Sequence, residues 1–321
     1  MTVLVRRKHV PLLATAATLC LLYGGASFLY EGMFSLRVSV NLFSDNAVLG
    51  ITAIGMTFVI LSGGIDLSIG AVIGFTATFI AAMMRDHAMP PVAAWALSLL
   101  IGAGFGGSMG ILIHVFRLPP FLVTLGGMFF ARGMAFVVSQ ESLAINHPLY
   151  DKILAFGIPL TDRVSIPASA LIFLSVFAVG LHVAHGSRFG RNVYAVGGSE
   201  TSALLMGLPV GRTKVWVYTL NGFCSALAGV VMTFYTSSGN PLHGAGLELD
   251  AIACVVIGGT LLTGGVGTIS GTLLGVLISG VIQTILLFDG RLNSWWLRIV
   301  MGLLLLAFIL LQKTLSRSSR A

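Results

Sequence analysis

Charge is scarce in this chain. Only 9% of its 321 residues are Asp, Glu, Lys or Arg, against about 25% in an ordinary soluble domain. So few charges cannot coat a water-exposed surface, which excludes soluble globular folding. Cysteine is scarcer, with three residues, Cys20, Cys224 and Cys254, all inside apolar stretches and far apart. No disulfide or metal spacing is present, so the three read as small buried hydrophobes. No Gly-x4-Gly-Lys-Ser/Thr phosphate cradle occurs, and neither do paired carboxylates, a His/Cys cluster or a nucleophile elbow. The sequence thus offers no catalytic or ATP-hydrolysing machinery, and no cofactor or metal is expected.

What the chain has is apolar length: 56% of its residues are hydrophobic. They fall in blocks near residues 10–30, 47–61, 71–84, 92–116, 121–138, 166–184, 215–235, 251–262, 266–287 and 295–311. A helix needs about 20 apolar residues to cross a hydrocarbon layer of roughly 30 Å. Most blocks reach that length; 47–61, 71–84 and 251–262 fall short and are read as broken, tilted or extended through neighbouring glycines. Backbone groups in lipid must be satisfied within their own segment, so the blocks should be helices. The period-two alternation of barrel strands is not seen. The expected fold is all-α, a polytopic integral membrane bundle of about ten spans, forming one transmembrane domain over residues 1–321.

The first block follows Arg6, Arg7 and Lys8 in the manner of a secretory signal. Its length, and the many spans after it, predict an uncleaved first span. The net charge of +7 does not point to nucleic acid, because Lys and Arg cluster beside span ends. Ten spans put both termini on one side. With that side cytoplasmic, the inner positive set is Arg6, Arg7, Lys8, Arg117, Arg188, Arg191, Arg212, Lys214, Lys313, Arg317 and Arg320. The outer set is Arg37, Arg85, Lys152, Arg163, Arg291 and Arg298. The excess of inner positives favours this orientation in an inner membrane.

Glycine is abundant, at 40 residues, and part of it repeats. Leu61-Ser62-Gly63-Gly64-Ile65 has a partner in Leu262-Thr263-Gly264-Gly265-Val266. The same offset pairs Gly70 with Gly271 and Gly74 with Gly275. Gly63, Gly64, Gly264 and Gly265 are therefore read as helix breaks in two related halves, the pattern of transport folds built from repeats. Small residues four apart let helices approach closely, as in the rows Gly102, Gly106, Gly110 and Gly267, Gly271, Gly275.

Residues 186–213 form the longest inner loop. Within it, Ser199 is placed to cap a short helix, Glu200 to sit in its first turn, and Gly207 and Pro209 to end it. Ala203, Leu204 and Met206 give that helix an apolar face. It is either a docking knob for a cytoplasmic partner or a helix lying on the membrane surface. The outer loop 140–165 is long enough to hold a surface helix. Arg37, Arg85, Lys152, Arg163 and Arg291 are either solvated loop charges or contacts for acids on a soluble protein.

Several stretches resemble the permease subunits of bacterial ATP-binding-cassette importers for sugars, of the ribose and galactofuranose type. They are Gly55-Met56-Thr57-Phe58-Val59-Ile60-Leu61-Ser62-Gly63-Gly64-Ile65-Asp66-Leu67-Ser68-Ile69-Gly70 and residues 194–198. Gly127-Met128-Phe129-Phe130-Ala131-Arg132-Gly133, Ile145-Asn146-His147-Pro148, Glu248-Leu249-Asp250-Ala251-Ile252-Ala253, Phe288-Asp289-Gly290 and Ser294-Trp295-Trp296 are similar to galactofuranose importer permeases. Residues 200–207 match the segment that the family's ATPase subunit grips, with a departure at Thr201-Ser202, where many relatives carry two alanines. The resemblance implies a coupling site of Gly198, Ser199, Glu200, Ala203, Leu204 and Gly207. It also implies cytoplasmic ATPase subunits, a second permease subunit, identical or homologous, and a periplasmic sugar-binding protein as partners. The substrate it implies is a monosaccharide such as galactofuranose.

Asp66 and Arg132 are the most deeply placed ionisable residues. A charge at the centre of a span costs roughly 2.5–3.5 kcal/mol, so each should be paired or face water. Asp66 either caps the helix that opens after Ser68 or contacts substrate. Arg132 either binds a helix end or an acid such as Asp66, or lines the sugar path. Asn46, Thr57, Asn221, Tyr235, Gln283 and Trp295 are path candidates or, more simply, interhelical hydrogen bonders and interfacial anchors. An ion-coupled secondary transporter would want more acids within the membrane than Asp66, and a non-transporting assembly protein would not need paired Gly-Gly breaks.

Overall fold

The computed structural model describes residues 10–291, 293 and 295–317. Arg6, Arg7, Lys8, Ser294 and Arg320, which entered the sequence reading, lie outside them. In chain order the helices are α1 (Val10–Leu29), α2 (Leu36–Asp45), α3 (Ala47–Leu61), α4 (Ile69–Asp86), α5 (Pro91–Val115), α6 (Pro120–Val138) and α7 (Pro148–Ala155). They continue as α8 (Ala168–Gly186), α9 (Arg188–Gly198), α10 (Glu200–Leu205), α11 (Val210–Thr236), α12 (Leu247–Ile257), α13 (Ile269–Asp289) and α14 (Trp295–Arg317). Four short strands, β1 (Leu143–Ala144), β2 (Gly157–Thr161), β3 (Val164–Pro167) and β4 (Ser238–Gly239), form two separate two-stranded ladders, β1 with β4 and β2 with β3.

Among the described residues, seven helices are long and apolar enough to cross a membrane, and up to eight if α2 and α3, bent by 56° at the break, count as one span. The bend explains why the 47–61 block looked short: the preceding part of the span is the more polar α2. The 71–84 block is the middle of α4, which at 18 residues is long enough. Block 251–262 stays short, since α12 has only 11 residues. The apolar part of α14 also falls just under span length.

Local chemistry sets the helix ends. Proline opens α5, α6 and α7, where the missing N–H costs nothing. Ser35, Ser187 and Thr268 cap α2, α9 and α13 through hydrogen bonds to the amides of Val38, Gly190 and Gly271. Gly290, at φ +63°, ends α13.

The bundle has two recognisable ends. At one, Tyr30 donates to Asp289 (3.3 Å), Arg37 donates to the carbonyl of Arg163 (3.2 Å), and Ile145 N–H donates to Ser237 (2.8 Å). The expected surface helix of loop 140–165 is α7, which sits here beside an unforeseen β2–β3 hairpin. Tyr150 of α7 is fully buried and its hydroxyl meets Trp95 Nε1 (3.0 Å) and Thr233 Oγ1 (3.1 Å). The rings of Trp95, Tyr150 and Phe234 pack edge-on in a triangle with centroids 5.1–5.8 Å apart. At the other end lie the breaks after α3 and α12, the α5–α6 turn, and α9 with α10.

The α5–α11 pair makes the largest helix–helix contact among the described residues. Its seam is the expected glycine row. A Cβ at Gly102 would press on Ala226 and the Gly222 carbonyl, one at Gly106 on the Tyr218 carbonyl, and one at Gly110 on Val215. The second row packs the same way, with Gly271 against the Gly258 carbonyl and Gly275 against that of Cys254. Cys224 and Cys254 are buried as expected, but Cys20 is exposed on α1, because that helix packs only one side against α13.

Gly222→Val should be strongly destabilising, because its Cβ would enter the Gly102 carbonyl and the Gly106 backbone. Overpacking of this kind costs about 1–3 kcal/mol or more. Gly104→Ala, on the open side of α5, should leave the detergent-purified protein's thermal midpoint unchanged or slightly raised. Equal midpoints for the two variants would contradict the seam.

Candidate functional site

The helix breaks position every other candidate residue. After α3, Gly64 N–H bonds back to Val59 and Gly63 N–H to Ile60, with Gly63 at φ +84°. After α12, Thr260 N–H bonds to Val255 and Gly259 N–H to Val256, with Gly259 at φ +94°. Both are glycine-terminated helix ends in which the two last amides fold back on the final turn. The break glycines read from the sequence need one correction. Gly63 does end α3, but α12 is ended by Gly259. Gly264 and Gly265, at φ +86° and +76°, form the turn after it. That turn crosses to the first break: Gly265 N–H donates to Leu61 O at 2.9 Å.

Asp66 sits just past the first break and is 1% exposed. Its Oδ1 accepts from Ser68 N–H (2.8 Å) and Ser68 Oγ (2.7 Å), and its Oδ2 from Asn221 Nδ2 (2.8 Å). Asp66 thus holds Ser68, the N-cap residue of α4, rather than an amide within α4, and Asn221 adds a tie from the α3–α4 connection to α11. Glycines make room for this knot. A Cβ at Gly55 would strike Asn221 Oδ1, and one at Gly64 would strike the Tyr218 hydroxyl. Both of those buried atoms lack a hydrogen-bond partner among the described residues.

Arg132 does not pair with Asp66. Its Nη1 donates to the carbonyls of Pro241 and His243, the latter at 3.1 Å, and its electrostatic counterpart is Glu248. Physically, the loop between β4 and α12 lays its carbonyls over Gly70 and Gly74 of α4, where any Cβ would collide with it, and Arg132 reaches in to satisfy them. The remaining path candidates separate. Asn46 donates to Leu42 O (2.9 Å), and Thr57 meets Thr272 across helices (2.7 Å), so both are structural hydrogen bonders. Gln283, Tyr235 and Trp295 are exposed on the outside of this chain. Asp66 and Asn221 come together; Arg132 and Gln283 join neither them nor each other.

The short helix α10 follows the sequence reading closely. Ser199 accepts from Ser202 N–H (3.2 Å), and Gly207, at φ +75°, closes the helix with Leu208 N–H returning to Ala203 O (3.0 Å). Its apolar residues divide, however. Ala203 is fully buried against Val196 and Val210, while Leu204, Leu205 and Met206 are 64%, 84% and 67% exposed. Glu200 pairs with Lys214 Nζ at 2.7 Å. This exposed ion pair contributes at most about 1 kcal/mol, so it orients α10 more than it stabilises it. Beside α10 opens a cleft of about 650 Å³, walled by His114, Arg117, Leu118 and Pro119 on one side and by Glu200, Thr201, Leu204 and Lys214 on the other. The sequence reading passed over α9, whose N-cap Ser187 and buried Val193 and Val196 carried the signal.

Removing the donor from Asp66 tests the knot. Asn221→Ala should lower folding stability by about 1–3 kcal/mol, the cost of an unsatisfied buried acceptor, and a lowered thermal midpoint would report it. Asp66→Asn, which keeps an acceptor for Ser68 N–H, should cost less. An unchanged midpoint in Asn221→Ala would show that the tie carries no weight.

The chain matches the protein family described as "Branched-chain amino acid transport system / permease component" over residues 38–309. The inner membrane ABC transporter permease protein YjfF of Escherichia coli K12 is 50% identical over 312 residues, 97% of this chain and 94% of that protein. The fructose import permease protein FruG of Bifidobacterium longum NCC 2705 is 38% identical, covering 96% of this chain and 92% of its own. The ribose import permease protein RbsC of Bacillus subtilis 168 is 39% identical over 85% of this chain and 84% of its own. No solved structure matches the chain at a significant level. A bundle of apolar helices that matches this family over most of its length has one classification, and the chain belongs to the permease components of ATP-binding-cassette transport systems.

Proposed function

We propose that this chain is a membrane-spanning subunit of an ATP-driven, binding-protein-dependent importer for a monosaccharide. The family's description names branched-chain amino acids, but FruG and RbsC, similar over most of this chain, are named for sugars. The stretches similar to galactofuranose importer permeases favour galactofuranose as the sugar. In this reading both termini and α10 face the cytoplasm, and the hairpin end faces the periplasm, where a sugar-binding protein docks.

The observation that carries the reading is α10. Two large apolar side chains of this capped six-residue helix, Leu204 and Leu205, and that of its C-cap Met206 stand outward beside an open cleft. Exposed apolar clusters of this kind mark protein interfaces, and an ATPase subunit gripping α10 explains it. The pair of ATPases would bring α10 and its counterpart in a second permease subunit together as ATP binds. The bundle would respond by shifting between two packings, since a ligand acts only through its different affinity for each state. The three donors to Asp66 support a structural role for it rather than that of an ion relay.

Reconstitution into liposomes with the ATPase, second permease and binding-protein chains of its own transport system tests this directly. Uptake of labelled galactose, ribose or fructose should require ATP and every component; uptake by this chain alone under an ion gradient would overturn the reading. In the same system Leu204→Asp with Leu205→Asp should weaken ATPase association at least tenfold, about 1.4 kcal/mol, with normal membrane levels.

Orientation has its own test. In a background with Cys20, Cys224 and Cys254 replaced, Lys152→Cys should react with an impermeant maleimide in spheroplasts. Arg191→Cys should react only after permeabilisation. The reverse pattern would invert the topology.

A further inference from the structure

Three Gly-Gly pairs meet at one point. The first is Gly63-Gly64 after α3, the second Gly264-Gly265 after α12, and the third Gly197-Gly198 at the end of α9. The link between the two breaks is the hydrogen bond from Gly265 N–H to Leu61 O. Gly197 lies directly on that bond: a Cβ there would strike Leu61 O and the Gly265 nitrogen. The contact is mutual, because a Cβ at Gly265 would strike Gly198, and one at Gly264 would strike both Gly63 and the Gly197 carbonyl. A side chain closes the assembly from the same helix: the Tyr194 hydroxyl donates to Gly267 O at 2.9 Å, one residue before Thr268 caps α13.

The next residue in the chain couples this contact to α10. Ser199 is at once the C-cap of α9 and the N-cap of α10, so nothing flexible separates Gly198 from the exposed helix. Movement of α10 must move the end of α9. That end rests on the only described hydrogen bond between the backbones of the two breaks. The breaks in turn set the starts of α4 and α13, whose glycine faces carry the loop before α12 and α12 itself.

The geometry points to Gly197 and Tyr194 as positioning residues for transport: they form a joint that carries displacement of α10 to both helix breaks at once. Neither touches the substrate in this scheme. Each acts by keeping the α9 backbone seated on the Leu61–Gly265 bond, so that both halves of the repeat respond together rather than separately. This inference rests on the importer reading and on α10 as the gripped element, and it names residues outside the gripped helix.

A glycine outside the joint supplies the control. A Cβ at Gly104, on the open side of α5, would meet open space, whereas one at Gly197 would wedge the joint apart. The complete complex, reconstituted in liposomes, is measured for Mg-ATP hydrolysis and for uptake of whichever of galactose, ribose and fructose the wild type carries best. Gly197→Ala is expected to assemble and hydrolyse ATP within twofold of wild type, with sugar moved per ATP falling at least tenfold. Gly104→Ala is expected to keep that ratio within twofold. Tyr194→Phe, which keeps the ring and loses only the bond to Gly267, is expected to lower it about threefold. A wild-type ratio in Gly197→Ala, or an equal fall in Gly104→Ala, would overturn the joint. Should Gly197→Ala fail to assemble, Tyr194→Phe decides, a lowered ratio supporting the joint and an unchanged one ending it. Absence of ATP-driven uptake in the wild type itself would instead sink the importer reading on which the joint stands.

Discussion

A helix that stops inside a packed interior strands amides and carbonyls that must be satisfied by something other than water. This bundle contains two such helices, α3 and α12, and their shared solution organises the rest. Each folds its last amides back over a left-handed glycine, Gly63 or Gly259. The exposed Leu61 carbonyl is then taken by Gly265 from the other break. Backbone satisfying backbone at that range leaves no space for side chains, which is why glycine accumulates where the two halves meet.

The polar residues near the breaks serve the same requirement. Asp66 takes Ser68 on one oxygen and Asn221 on the other, tying the connection after α3 to α11. Arg132 gathers the carbonyls of Pro241 and His243 in the loop before α12, opposite Glu248. Asp66 is thus engaged by one backbone and two side-chain donors, and Arg132 by loop carbonyls. Burying such groups is costly unless they are hydrogen-bonded, and the Asn221 Oδ1 and Tyr218 hydroxyl beside Asp66 remain without a partner among the described residues.

Much of this was legible in the sequence, because length and small-residue spacing are one-dimensional signals. The apolar blocks mark the spans, the Gly102, Gly106, Gly110 row marks the α5–α11 seam, and Ser199 with Gly207 brackets α10. The repeat offset found Gly63 and Gly264, whose φ angles of +84° and +86° agree. It did not find that α12 ends a turn early, at Gly258-Gly259, because one glycine pair looks like another. Arg132's partners were invisible for a different reason: they are carbonyls in a distant loop, and no side-chain pattern encodes them. The β2–β3 hairpin was missed because strands this short show little alternation, whereas α9 carried a readable N-cap at Ser187 and an apolar face at Val193 and Val196 that the reading did not take up.

The two ends of the bundle are held by different physics. At the hairpin end, three aromatic rings interlock edge to face and Tyr150 bonds to two helices through Trp95 and Thr233. Interdigitated rings cannot slide without leaving their rotamers, so that end resists shear. At the α10 end, backbone meets backbone over glycines, with one interbreak hydrogen bond to register the segments and the Tyr194 hydroxyl bonding beside them. Such a surface can change register at small cost while the aromatic end stays fixed. On the importer reading proposed above, a bundle locked at one end and smooth at the other would convert a push on α10 into a tilt of α4 and α13. Packed interiors answer small displacements by switching between discrete arrangements rather than deforming continuously, and the smooth end is the place where a second arrangement is within reach.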